Sequence, residues 1–128
     1  MTKAECLHAF FSSFGLRAYE ENSVPAWLDA AQTVENAPPY LTYELATDEF
    51  RGEPVQIEVN LWDRSGSWQM LNELTETISA SIGRFKRLVC DDGIICVTKA
   101  SPFAQNAPAE ADNDRRKLLH IDLTFITN

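Results

Sequence analysis

The sequence lacks most features that mark an enzyme, a membrane protein or a disulfide-stabilised secreted protein. Its cysteines, Cys6, Cys90 and Cys96, are an odd number without CxxC spacing, so we predict buried free thiols. None of the motifs GxSxG, HExxH, GxGxxG or P-loop occurs. No signal peptide is visible, and no window approaches the ~18 apolar residues of a membrane span. We therefore expect a protein made in the cytoplasm, with no membrane partner.

Basic residues are also scarce, because 11 Lys and Arg face 19 Asp and Glu and give a net charge of −8. Phosphate backbones repel an acidic chain, so we predict that free nucleic acid is not a partner. The basic residues gather in two groups, Arg84-Lys86-Arg87 and Arg115-Arg116-Lys117. We interpret both groups as solvated strand edges, with a binding patch as the alternative.

What the sequence does contain is enough apolar surface for one domain spanning residues 1–128, of which 45% are hydrophobic. Thr2 and Glu5 form a capping box that predicts a helix from about Lys3 to Phe14. A second helix is predicted after Ser65 or Ser67 as the cap, and Gly83 ends it. Its apolar residues recur at helical spacing: Trp68, Leu71, Leu74, Ile78 and Ile82.

Alternating apolar residues predict the strands. Tyr40–Ala46 and Val55–Leu61 predict one hairpin, and Leu16 to Asn22 is a candidate short strand. A second hairpin turns at Asp92-Gly93, with Cys90 opposite Ile95 and Cys96 on the other face, so Cys90 and Cys96 should not bond. Leu119 to Phe125 predicts the last strand. The fold class is therefore α+β: an antiparallel, possibly mixed, sheet of about five strands with two helices packed on one face.

Two stretches are predicted to be flexible loops, 22–39 and 101–114. The first is interrupted by prolines, and the second has two prolines, four alanines and few large apolar residues. Neither the two loops nor the strands contain a pattern that is typical of a catalytic or metal-binding site. We interpret His8 and His120 as surface histidines and Asp92 as a turn residue, and we predict no catalytic residues, no cofactor and no metal site.

The order of motifs resembles the small tail-completion (tail terminator) proteins of long-tailed bacteriophages and prophages. The residues that carry this likeness are Pro39-Tyr40-Leu41-Thr42-Tyr43, the alternating strand that ends at Trp62, and Ser67-Trp68 at the start of the second helix. The segment from Ser101 to Gln105 is similar to a subset of these proteins. The likeness covers nearly the whole chain, and its motifs are structural.

The resemblance implies a subunit of a ring, usually hexameric, that caps the tail tube, stops its polymerisation and joins it to the head connector. Its partners would be copies of itself, the major tail tube protein and a head–tail connector protein, located in the virion tail and, during assembly, in the host cytoplasm. The alternatives are another phage neck or head–tail joining component, or a small α+β enzyme. The charge pattern suggests a candidate assembly interface, in which the basic cluster meets a neighbour's carboxylates: Asp48, Glu49, Phe103, Arg115, Arg116 and Lys117.

Overall fold

The computed structural model describes residues 1–20, 40–44, 54–63, 67–91, 93–108 and 115–127. Within these residues the chain forms two helices and six strands. They follow one another as α1 (Lys3–Ser12), β1 (Arg17–Glu20), β2 (Tyr40–Tyr43), β3 (Pro54–Asp63), α2 (Gln69–Ile82), β4 (Lys86–Val89), β5 (Gly93–Ala107) and β6 (Arg115–Thr127).

All six strands belong to one sheet with the order β1-β2-β3-β6-β5-β4. β1 pairs parallel with β2, whereas every other neighbouring pair is antiparallel. The predicted α+β class is confirmed, but the sheet is mixed and has one strand more than the five predicted. The additional strand is β1, where the sequence offered only a short candidate segment.

Local contacts mark the start of α1 and both ends of α2, whose N-cap is Trp68 and not one of the predicted serines. In α1 the Thr2 side chain accepts from the Glu5 amide at 3.2 Å, and the Glu5 carboxylate accepts from the Thr2 amide at 3.0 Å, as the capping box predicts. At the start of α2, Ser67 Oγ accepts a hydrogen bond from the Gln69 amide at 3.2 Å. Gly83 then ends the helix with a positive φ of 58°, a backbone angle that residues other than glycine rarely adopt.

The core lies on one face of the sheet. Odd-numbered positions of β3 and β6 point inward and pair directly, as in Ile57 with Ile121 and Val59 with Leu119. Both helices bury their apolar residues in this same core: Cys6, Leu7, Phe10 and Phe11 from α1, and Leu71, Ile78 and Ile82 from α2. The apolar stripe read from the sequence therefore predicted the buried face of α2, although Thr75, outside the stripe, is buried as well.

The sheet is curled, and α1 lies beside both of its edges. This helix packs against β1 and against β4, which are the outermost strands of the described sheet. Six flat strands would place these edges roughly 24 Å apart, at about 4.8 Å per strand spacing, whereas a helix with its side chains is only about 10–12 Å wide. One helix reaches both edges because the strands curl around it.

The structure corrects the predicted loop at 101–114, because β5 runs on as far as Ala107. After Lys99 the register with β6 is interrupted, and pairing resumes at Ala104 opposite Leu119. No alternating pattern marks this segment in the sequence, but β6 supplies backbone partners for residues 104–107, which pair with it. Residues 109–114 and the predicted loop 22–39 lie outside the described residues.

The second hairpin has the predicted faces but a different register. Leu88, not Cys90, lies opposite Ile95, and Val89 pairs with Ile94. The closing loop is therefore longer than the predicted two-residue turn, and the Cys90 amide donates to the Gly93 carbonyl at 2.8 Å. A shift of two residues preserves the side-chain faces, so Cys90 is still buried on the inner face and remains a free thiol, as does Cys96.

Candidate assembly surfaces

The basic cluster at 115–117 does not form one patch. It begins β6, an interior strand between β3 and β5, so its interpretation as a strand edge is wrong. Alternation places Arg115 and Lys117 on the helix side of the sheet and Arg116 on the other side. Lys117 Nζ donates to Asn72 Oδ1 at 2.6 Å and to Asn106 Oδ1 at 3.2 Å. The cluster is divided between two faces, and Lys117 is bound within its own subunit.

All three cations of this cluster lie near aromatic rings, and they do so on both faces of the sheet. The guanidinium of Arg115 and the ammonium of Lys117 lie 5.8 and 6.0 Å from the ring of Trp68. Arg116 lies 5.4 Å from the ring of Trp62 on the opposite face. Such contacts stabilise by roughly 0.5–1 kcal/mol at exposed sites. The predicted interface cations thus also hold α2 and β3 to β6.

A small polar and aromatic group surrounds Trp62 on the face of the sheet opposite α2. The Trp62 indole donates to Thr42 Oγ1 at 3.4 Å, and its ring lies 6.3 Å from that of Tyr40. Among the described residues, Asn60 Oδ1 and Arg116 Nε are buried there without a hydrogen-bond partner. Unpaired buried polar atoms cost free energy, which the packing around them must offset.

Phe103, another predicted interface residue, is half-buried and packs against the core from within the interruption of β5. The ammonium of Lys99 lies 5.9 Å from its ring. Asp48 and Glu49 lie outside the described residues, so their predicted meeting with the basic cluster stays a prediction. The structure therefore brings Phe103 to the core.

The other basic group, at 84–87, has the position predicted for it. Lys86 and Arg87 belong to β4, which is an edge strand of the described sheet, and both side chains are exposed. Val89 lies on the same face of β4 as Arg87, whereas Lys86 lies on the other face. Val89 is 72% exposed, and Phe85, just before the strand, is 55% exposed. Large apolar side chains this open to water, beside three cations, make this segment a candidate contact surface. The sequence reasoning missed Phe85 and Val89, whose interleaving with cations was the available signal.

Two open grooves run along the flanks of α1. The groove between α1 and β4 measures about 350 Å³, with Cys6, Phe10 and Leu88 among its lining residues. The groove between α1 and β1 is larger, about 780 Å³, and carries the carboxylates of Glu5 and Glu20. The two grooves differ in charge, since Lys86 and Arg87 line the first.

Hydrogen bonds link polar side chains in the groove between α1 and β1. His8 Nδ1 lies 3.2 Å from the Tyr43 hydroxyl, and its Nε2 lies 3.4 Å from Ser12 Oγ. Burial raises the pKa of Tyr43, and the nearby Glu20 carboxylate adds to this effect. His120, the other histidine, lies opposite Glu58 on the other face of the sheet and lines neither groove.

Comparison with known proteins gives no family assignment: no protein-family model matches the chain, and no curated protein matches it either. Within the described ranges, no helix is both long and apolar enough to cross a bilayer. The same residues contain no group of three or more His, Cys, Asp or Glu side chains that could hold a metal ion.

Proposed function

We propose that this protein is a structural subunit of a bacteriophage or prophage tail that acts through protein contacts and not through catalysis. Copies of the chain assemble into a ring, hexameric as in the tail terminators that it resembles. The ring caps the tail tube, stops its polymerisation and joins the tube to the head connector. The resemblance in motif order carries this proposal.

The structure supports the proposal through the contacts among the segments that carry the resemblance. Tyr40 and Thr42 of β2 lie directly opposite Trp62 and Asn60 of β3, and the indole of Trp62 bonds to Thr42. Trp68, at the start of α2, lies under the cations of β6. The motifs therefore form the framework of one α+β subunit, and the exposed edge with its neighbouring grooves offers surfaces for assembly.

The test combines the purified chain with the tail tube protein of the same phage. We expect a particle whose mass is a multiple of the 14.4 kDa subunit, and tubes of limited length with a ring at one end in electron micrographs. Tubes that grow equally long with and without the protein would contradict the proposal. Binding to the head connector without any effect on tube growth would favour a different neck component.

A further inference from the structure

β4 is the last strand of the described sheet, and the N-terminal residues cover only part of its open edge. The thiol of Cys6 donates to the Val89 carbonyl at 3.2 Å, and the Asp91 amide donates to the Met1 carbonyl at 2.9 Å. These bonds occupy the end of the strand nearest the turn. In the part of the chain that the structure describes, no strand pairs with the rest of this edge.

Two explanations exist for cations on an edge strand. Charged side chains on an edge prevent unwanted pairing with other sheets, and this alone would explain Lys86 and Arg87. It does not explain Phe85 and Val89, which are 55% and 72% exposed beside them and would favour aggregation. A surface that combines apolar and cationic side chains is better explained by a partner that buries the apolar side chains and pairs with the cations.

The chain itself presents a complementary surface. The groove between α1 and β1 is large, about 780 Å³, and its lining includes the apolar side chains of Ala4, Ala9 and Ala18. Glu5 and Glu20 lie at this groove and are both exposed. Three of the 11 basic residues lie at 84–87 in a chain of net charge −8, so another copy is an acidic partner for that segment.

We propose that the β4 edge of one subunit docks into the α1–β1 groove of the next, with Arg87 facing Glu20. Val89 and Phe85 enter the apolar part of the groove. This inference rests on the proposed ring, whose self-association it explains. The contact uses two different surfaces, so it joins subunits head to tail and generates a closed ring when the rotation between neighbours closes.

Side chains rather than backbone bonds make this contact. The cations on β4 disfavour direct addition of another strand, and the partner surface is a groove beside a helix. Charge pairs at the border of an interface mainly set orientation and association rate, and they weaken with salt because the Debye length is only about 8 Å at 0.15 M. We therefore expect self-association to weaken at high ionic strength.

A charge-swap experiment tests the proposed pairing through sedimentation velocity over a range of protein concentrations. Arg87→Glu and Glu20→Arg should each weaken self-association about tenfold or more, because each places like charges together. An equimolar mixture of the two variants should restore assembly. When the two variants alternate around the ring, every contact joins opposite charges. The double variant in one chain should assemble alone for the same reason.

The matched control is Glu76→Arg, which makes the same charge change on the exposed side of α2. It should assemble as the unmodified chain does, and circular dichroism should show that all variants are folded. The inference is overturned if the unmodified chain stays monomeric, if the single variants assemble normally, or if folded variants fail to rescue each other. Rings that cap tubes while the swap fails would overturn only this contact; a successful swap without tube capping would overturn only the tail function.

Discussion

Lys117 on β6 donates a hydrogen bond from Nζ to Oδ1 of Asn72 on α2, with the two atoms 2.6 Å apart. This bond joins an interior strand to the helix that packs over it. The same ammonium reaches Asn106 on β5. One side chain of the predicted interface therefore fastens three elements of a single subunit.

Lys117→Met should accordingly lower the free energy of unfolding by about 1–2 kcal/mol, because the apolar stem is kept and both charge-assisted hydrogen bonds are lost. The matched control is Lys86→Met on the exposed edge, which should change stability by less than about 0.5 kcal/mol. Urea denaturation of both variants measures the difference. Equal effects would show that the bonds of Lys117 contribute nothing measurable.

The assigned faces of α2 and β6 can be tested with three alanine substitutions. Leu71 and Ile121 are 0% exposed, so Leu71→Ala and Ile121→Ala should each cost about 2–5 kcal/mol, as large-to-small changes at packed positions do. Glu76 is exposed, and Glu76→Ala should cost little. Thermal unfolding of the three variants decides the matter, and similar shifts for all of them would contradict the faces.

The continuation of β5 beyond Lys99 predicts slow hydrogen exchange where the sequence alone predicted a loop. Residues 104–107 pair with β6, so their paired amides should exchange far more slowly than those of an open segment. Exchange followed by mass spectrometry on dilute protein measures this, with the denatured protein as a fully exchanging reference. Complete exchange of 104–107 within seconds would restore the loop interpretation.

The capping box makes α1 sensitive to acid. Hydrogen bonds from the Thr2 backbone and side chain lower the pKa of Glu5 below its usual value of 4.5. A lowered pKa in the folded state means that Glu5 stabilises the fold above the unfolded-state pKa, and this contribution is lost as the pH falls through the folded value.

Unfolding measured between pH 7 and pH 2 should therefore show a part of the acid dependence that Glu5→Gln removes, since glutamine keeps the capping geometry without titrating. Thr2→Ala should destabilise the protein by about 1 kcal/mol at pH 7. Identical pH profiles for the unmodified chain and Glu5→Gln would argue against the carboxylate as the titrating group.

The three thiols should differ in reactivity in the native protein. Burial, together with a hydrogen bond to Cys6, raises the pKa of Cys90 to about 12, so almost no thiolate forms there near pH 8. Cys6 is also buried, at 5% exposure, whereas Cys96 is only half-buried on the opposite face of the sheet. A thiol reagent at pH 8 should therefore modify Cys96 first.

In unfolded, non-reduced protein all three thiols should react, because none is bonded. Peptide mapping of the labelled protein distinguishes the sites. Faster native labelling of Cys90 than of Cys96 would contradict the assigned faces, and recovery of a Cys90–Cys96 disulfide would contradict the register of the hairpin.

The sequence by itself determined most of the side chains that face the core and where α1 begins. The capping box at Thr2 and Glu5, the stripe that includes Leu71 and Ile78, and the alternation around Ile121 all depend on neighbours a few residues away. Helical and strand periods are properties of the local backbone, so these patterns predict a face even when the element's partner is unknown. This is why the hairpin at Cys90 kept its faces although its register shifted by two.

Only the tertiary structure decided which strands lie at the edges and what the charged clusters contact. Lys86 and Lys117 occur in similar basic clusters, yet one lies on an open edge and the other is bonded to Asn72 within the subunit. The strand order and the curl that brings β1 and β4 to the two flanks of α1 arise from pairings between residues far apart in the chain. Such pairings depend on the packing of the whole sheet, which no local pattern of residues encodes.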